Sequence, residues 1–153
     1  MMVASVLHQI RLANESILTM CEQLRDVDLS KRPHGEKRSI WELLTHLAVL
    51  CQADLLISNE ATSIEMTKFY DSHSFHSLDD IMEGLRKNYE DLVAEYTPLN
   101  NEQLAAYTTS YWGVRYSKYE WLLEILGHLY HHRGQLYTML TYEQVTVRVS
   151  LFE

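Results

Sequence analysis

Three histidines carry the strongest chemical signal in the chain. In the segment GHLYHHRGQL, His128 and His132 stand four residues apart, which puts both imidazoles on one face of an α-helix, about 40° apart in projection. Trp121, Ile125 and Met139 share that stripe, so the face turns toward a core. A polar ring facing inward needs a partner, because an unpaired buried polar group costs roughly 1–3 kcal/mol. One divalent metal ion would satisfy both rings. His46 repeats the pattern upstream, with Leu43, Leu50, Ala53 and Ile57 continuing its stripe. Each signal alone has an ordinary reading, since a histidine on an apolar helix is commonly a core residue bonded to a carbonyl or carboxylate. Together, on facing helices of a bundle, the three can close one metal site.

The other histidines fit less well. His131 projects about 60° away from His128, which suits a supporting or surface position. His73 and His76 have metal-like H-x-x-H spacing but fall in a segment that reads as a solvated loop. His8 and His34 are isolated and read as structural or exposed. Cys21 and Cys51 each sit within apolar helical patterns, as reduced core thiols would, and neither is given a catalytic role.

Four helices must position the three rings. Residues 3–27 place Val6, Ile10, Ala13, Ile17, Met20 and Leu24 at three- and four-residue intervals. Pro33 and Gly35 then mark a turn. Ser39 with Glu42 forms a capping box for a helix over residues 40–58. Residues 59–77 show no sustained period and read as a long connection with about one helical turn. Ser77 caps a third helix that ends near Tyr96, before Pro98. Residues 107–116 mix aromatic and β-branched residues around Gly113, which suits an extended excursion or a short hairpin. Ser117 with Glu120 caps a fourth helix running to about Thr141, and the tail VTVRVSLF alternates as a strand would. The expected fold is all-α, an up-down-down-up type four-helix bundle forming a single domain over residues 1–153. A short β excursion and a C-terminal strand are its expected additions, and the strand needs a partner in the aromatic segment or in another subunit.

Composition narrows the partners. The 153 residues carry 21 Asp and Glu against 13 scattered Lys and Arg, a formal charge of −8. Without a basic stripe, neither a phosphate backbone nor an anionic membrane is an expected partner. The longest apolar stretch, residues 43–57, is interrupted by His46, Gln52 and Asp54 and does not read as a membrane span. No secretory signal is visible, so a cytoplasmic location is expected.

GHLYHHRGQL, preceded far upstream by SIWELLTHL, resembles the DinB and YfiT-like superfamily of metal-binding four-helix bundles. The motif is H-x-x-x-H-R-G-Q, with a further histidine just before the last ligand and a lone histidine after a tryptophan on the second helix. The resemblance covers nearly the whole chain. It implies metal ligands at His46, His128 and His132, the three singled out by spacing. Arg133, Gly134, Gln135 and Trp41 match the motif as supporting residues, and a homodimer is implied. The chain departs from the pattern at its C-terminus, where TYEQVTVRVSLFE replaces the usual glycine-ended helix.

Three imidazoles leave a tetrahedral ion one open position, the arrangement of catalytic sites. Zinc and nickel suit such ligands best, and manganese or iron remain open. The resemblance favours a transferase that uses a low-molecular-weight thiol, bacillithiol-like, on a small electrophile. Metal-dependent hydrolysis is the alternative, although no clear carboxylate base presents itself; Glu124 lies one turn before His128 but to the side. A non-catalytic bundle stapled by its metal is the third reading. The substrate pocket is expected between residues 59–77 and 107–116.

Overall fold

Helix starts are written into the chain as reciprocal caps. Ser39, Thr62, Ser77, Asn100 and Ser117 each accept from the backbone N–H three residues on, and Glu42, Glu65, Asp80, Gln103 and Glu120 accept from the N–H of the cap, so that two orphaned donors are satisfied at each start. The computed structural model describes residues 2–152. Its elements are α1 (Met2–Cys21), α2 (Asp26–Leu29), α3 (Ile40–Ser58), α4 (Ser63–Ser72), α5 (Leu78–Tyr96), α6 (Asn101–Ala105), β1 (Tyr107–Thr109), β2 (Arg115–Ser117) and α7 (Lys118–Tyr142).

α1 and α3 each pack against both α5 and α7. This four-helix core is filled by residues such as Ile10, Ile17, Leu44, Leu47, Leu85 and Leu129, all essentially inaccessible. α3 alone among the described helices is long and apolar enough to cross a membrane, and most of it is buried inside the bundle. The cysteines are buried, unpaired thiols. Burial pushes both up to about 12, which leaves them protonated and inert.

Four features depart from the sequence reading. The helix expected over residues 3–27 stops at Cys21, because Asp28 is buried and draws both the backbone N–H and the guanidinium of Arg25 onto its carboxylate, folding α2 as a separate turn. The connection over residues 59–77 contains the ten-residue α4, whose capping box lay unread in TSIE. The short α6 was also not anticipated. The C-terminal strand does not form. Val145 is buried and Val147 and Val149 pack on the core, so the alternation is real, but the tail pairs with a side chain. The Gln23 amide donates to the Arg148 carbonyl (3.0 Å) and accepts from its N–H (2.8 Å). The expected excursion at residues 107–116 is a hairpin, with Thr108 opposite Tyr116 and Gly113 at φ +93° in the turn.

Two details hold α3 and α7 in place. Asn88 of α5 reaches into a turn of α3, where its amide donates to the Ala48 carbonyl and accepts from the Gln52 N–H at 2.9 Å. Gly84 makes the approach possible, since a Cβ there would stand 3.0 Å from Phe75 and 3.3 Å from Ala48. Both α3 and α7 end on a left-handed residue other than glycine, Glu60 at φ 65° and Gln144 at φ 57°. Glu60 accepts from the Thr109 N–H with its side chain, a contact that glycine would lose.

Asn88→Ala should therefore destabilise the protein by about 2–3 kcal/mol in urea denaturation, because it orphans buried polar groups on α3. Gln144→Gly should stabilise it by about 0.5–1 kcal/mol by relieving left-handed strain. Glu60→Gly should give no such gain in the same measurement.

Candidate metal centre

His46 comes from α3, and His128 and His132 from α7. His46 lies opposite His132, with ring centroids 4.6 Å apart, while Asp54, two turns further along α3, meets His128. Rising numbers on one helix thus meet falling numbers on the other, so the two run antiparallel. The remaining centroid separations are 5.5 Å for His46 with His128 and 4.8 Å for His128 with His132. One ligand atom from each ring lies within 4.8 Å of the others. The structure thus brings together all three residues singled out by spacing.

The outer nitrogens fix the tautomers. His128 Nδ1 lies 2.7 Å from the Asp54 carboxylate, and His132 Nδ1 lies 2.7 Å from the Gln135 amide oxygen. Both oxygens can only accept, so each Nδ1 carries the proton. With both rings neutral, the two Nε2 atoms face one another as lone pairs at 3.0 Å, and protonation of His128 would turn the contact into an N–H···N hydrogen bond. His46 Nε2 is buried with no hydrogen-bond partner. Two facing nitrogens and an orphaned third are what a divalent cation would satisfy, and three imidazoles are an ordinary ligand set for one.

Electrostatics keeps two of the rings neutral. Burial first, then the charge of Arg38, holds His46 down at about 3. Burial also lowers His132, although the Gln135 bond opposes it. His128 is raised instead, chiefly by its hydrogen bond to Asp54, with the charge of Glu124 adding to the effect.

Asp54 was missed as a site residue. In sequence it reads only as a polar interruption of an apolar run, yet its eight-residue spacing from His46 keeps it near the metal stripe, and that was the available signal. Gln135 had entered only through the motif, although its position three residues after His132 brings it within reach of that ring. Arg133 is buried between the rings of Tyr130 and Phe152 and donates to the Leu151 carbonyl at 2.8 Å. His131 is exposed beside His132, with ring centroids 4.9 Å apart. His73 turns its Nδ1 to the Phe69 carbonyl and His76 is exposed; neither joins the triad.

Two cavities flank the centre, and neither matches the expected pocket in full. The larger, about 720 Å³, touches His132 and Gln135 and is walled by His34, Glu36, Lys37 and Arg38. The smaller, about 360 Å³, touches His46 and is lined by Trp41, Arg38, Tyr70, His73 and Phe75. Only residues 70–75 of the expected connection contribute. The hairpin lines neither cavity, because Val114 packs on a separate cluster of Ala53, Ile57, Met66 and Trp121.

The sequence profile of the DinB superfamily matches residues 9–136, a span that includes all three histidines. Among solved structures, the chain is similar to a protein from Exiguobacterium sibiricum described as belonging to the DinB family. That protein is 30% identical over 98% of this chain and 97% of its own, with a TM-score of 0.87. A DinB-like protein from Bacillus cereus is 19% identical over 95% of each chain, with a TM-score of 0.74. Another from Bacillus subtilis is 19% identical over 99% of this chain and 96% of its own, with a TM-score of 0.69. At such identity these two speak for the fold alone. Among curated proteins nothing matches.

Asp54→Asn should weaken affinity for added zinc by about 10–100-fold at neutral pH, read by chelator competition, because Asp54 orients His128 and raises its basicity. Acidification should release the metal, with His128 protonating before His46. In metal-free protein the raised His128 contributes stability that is full below its unfolded value of about 6.5 and is lost as pH rises through the folded value. A denaturation series against pH, with and without zinc, reads both effects.

Proposed function

Because the chain belongs to the DinB superfamily, we propose that it holds one divalent metal ion on His46, His128 and His132 and transfers a small thiol to a small electrophile. The observation that carries this reading is the convergence of one nitrogen from each of the three rings within 4.8 Å, with the His46 Nε2 buried and without a hydrogen-bond partner. Three nitrogen ligands leave a further coordination position for a small molecule. When bound there, the metal would supply Lewis acidity, which draws a thiol toward thiolate at neutral pH.

The chain's own residues do the remaining work. Asp54 and Gln135 hold the protons of His128 and His132 on the outer nitrogens, so both rings offer lone pairs inward. Burial and Arg38 keep His46 neutral. The larger cavity is within the size range of small-molecule sites and opens directly on His132. In the transfer, the thiol gives its proton to solvent and its sulfur forms the new bond to carbon. The electron pair of the broken carbon bond departs with the leaving group.

Asp54, the carboxylate bonded to the triad, is committed to orienting His128 and not to activating water, which supports thiol transfer. Hydrolysis is the second reading, and one observation favours it: Glu36 places a carboxylate on the wall of the larger cavity.

Metal analysis of the purified protein should find one ion per chain, and His128→Ala should lose it while keeping its helical circular dichroism. Turnover of 2-mercaptoethanol with 1-chloro-2,4-dinitrobenzene should fall by about 100-fold or more in the variant. Full metal retention by His128→Ala would sink the site. Ester cleavage without thiol would favour hydrolysis, and bound metal with neither activity would make the ion a staple.

A further inference from the structure

The chain carries 21 acids against 13 Lys and Arg, yet the wall of the larger cavity reverses that balance. Lys37 and Arg38 line it against the single acid Glu36, with His34 and His131 beside them. Five basic side chains are spent on acids: Arg11 on Glu15, Arg25 and Lys31 on Asp28, Arg32 on Glu42, and Lys87 on Asp91. Arg38, like Lys37, Lys68, Arg86 and Arg148, makes neither an ion pair nor a hydrogen bond from its side chain among the described residues, and what sets it apart is its place beside the triad. It borders both cavities, and its charge reaches His46, His128, His132 and Tyr70.

The wall that presents Arg38 is braced. Arg32 donates to the Lys37 carbonyl and to the Glu42 carboxylate. Lys37 donates its N–H to the His34 carbonyl at 2.6 Å, and Ile40 closes the segment onto the Lys31 carbonyl at 3.0 Å. The guanidinium is therefore carried on a fixed turn next to the start of α3. A guanidinium fork matches a carboxylate through two parallel hydrogen bonds. Glu36 on the same wall repels a phosphate dianion, with both charges at one centre, more strongly than one carboxylate of a dicarboxylate whose second charge lies at its far end.

We propose that Arg38, with Lys37 beside it, is a carboxylate-binding subsite, so that the thiol taken by this centre carries a carboxylate that docks there while its sulfur faces the histidines. The placement of the sulfur rests on the metal-centre reading above; the anion subsite itself does not.

The test uses the full chain at fixed ionic strength, with binding read by calorimetry. Zinc-loaded protein should bind mercaptosuccinate roughly tenfold or more tightly than 2-mercaptoethanol, and Arg38→Gln should bring that ratio close to one. Metal-free protein should bind succinate in an Arg38-dependent way, with inorganic phosphate weaker. Equal affinity for the two thiols, succinate binding that Arg38→Gln leaves unchanged, or phosphate binding more tightly than succinate would each overturn the subsite. If thiols ignore the metal while succinate still depends on Arg38, the thiol-transfer reading fails and the carboxylate subsite stands. Arg38 is exposed, so its replacement does not endanger folding.

Discussion

Two neutral imidazoles whose Nε2 atoms face each other at 3.0 Å repel unless a proton or a metal cation lies between them, and the centre is organised to keep them there. Asp54 pulls one ring proton outward and Gln135 pulls the other. Neither ring can flip to relieve the contact without giving up a bond on its far side. His46 adds a third nitrogen that the core has stripped of water and partners. The energy that holds this arrangement comes from the packing of α3 against α7, so the site and the bundle are one construction.

That dependence runs outward through the other helices. α5 supplies no member of the triad, but Asn88 clamps the turn of α3 between His46 and Asp54 and so sets how the two face α7. Gly84 lets α5 come close enough to do this. At the far side, the residue after His132 is tied down as well: Arg133 stacks on Tyr130 and Phe152 and holds the tail by the Leu151 carbonyl. α7 is thus fixed in rotation by its neighbours, and its histidines inherit that fixity.

The long helices and the triad were legible because they rest on local rules. Ser39 with Glu42 and Ser117 with Glu120 announce α3 and α7, and four-residue spacing puts His128 and His132 on one face. What escaped depends on contacts between distant residues. Asp54 becomes the partner that orients His128 only when α7 brings that ring to it. The tail alternates as a strand does, but its partner is the single amide of Gln23, which no pattern in the tail encodes. The wall at residues 34–38 reads as a polar turn, and its role at the cavity follows from how α2 and α3 meet. The residues 107–116 looked like pocket lining by composition, yet their packing is against Trp121 and its cluster.

The contrast between an acidic molecule and a cation-lined cavity also governs how an anion would arrive. At physiological salt the field of a charge dies away within about 8 Å, so an approaching anion is largely blind to the net charge until it reaches the mouth. There it meets Lys37 and Arg38, with Glu36 as the one opposing charge on the wall. In dilute buffer the molecule's overall charge of −8 reaches further and slows the approach. Encounter with an anion would then quicken as salt is first added, the reverse of ordinary electrostatic steering, although the same salt loosens the bound state.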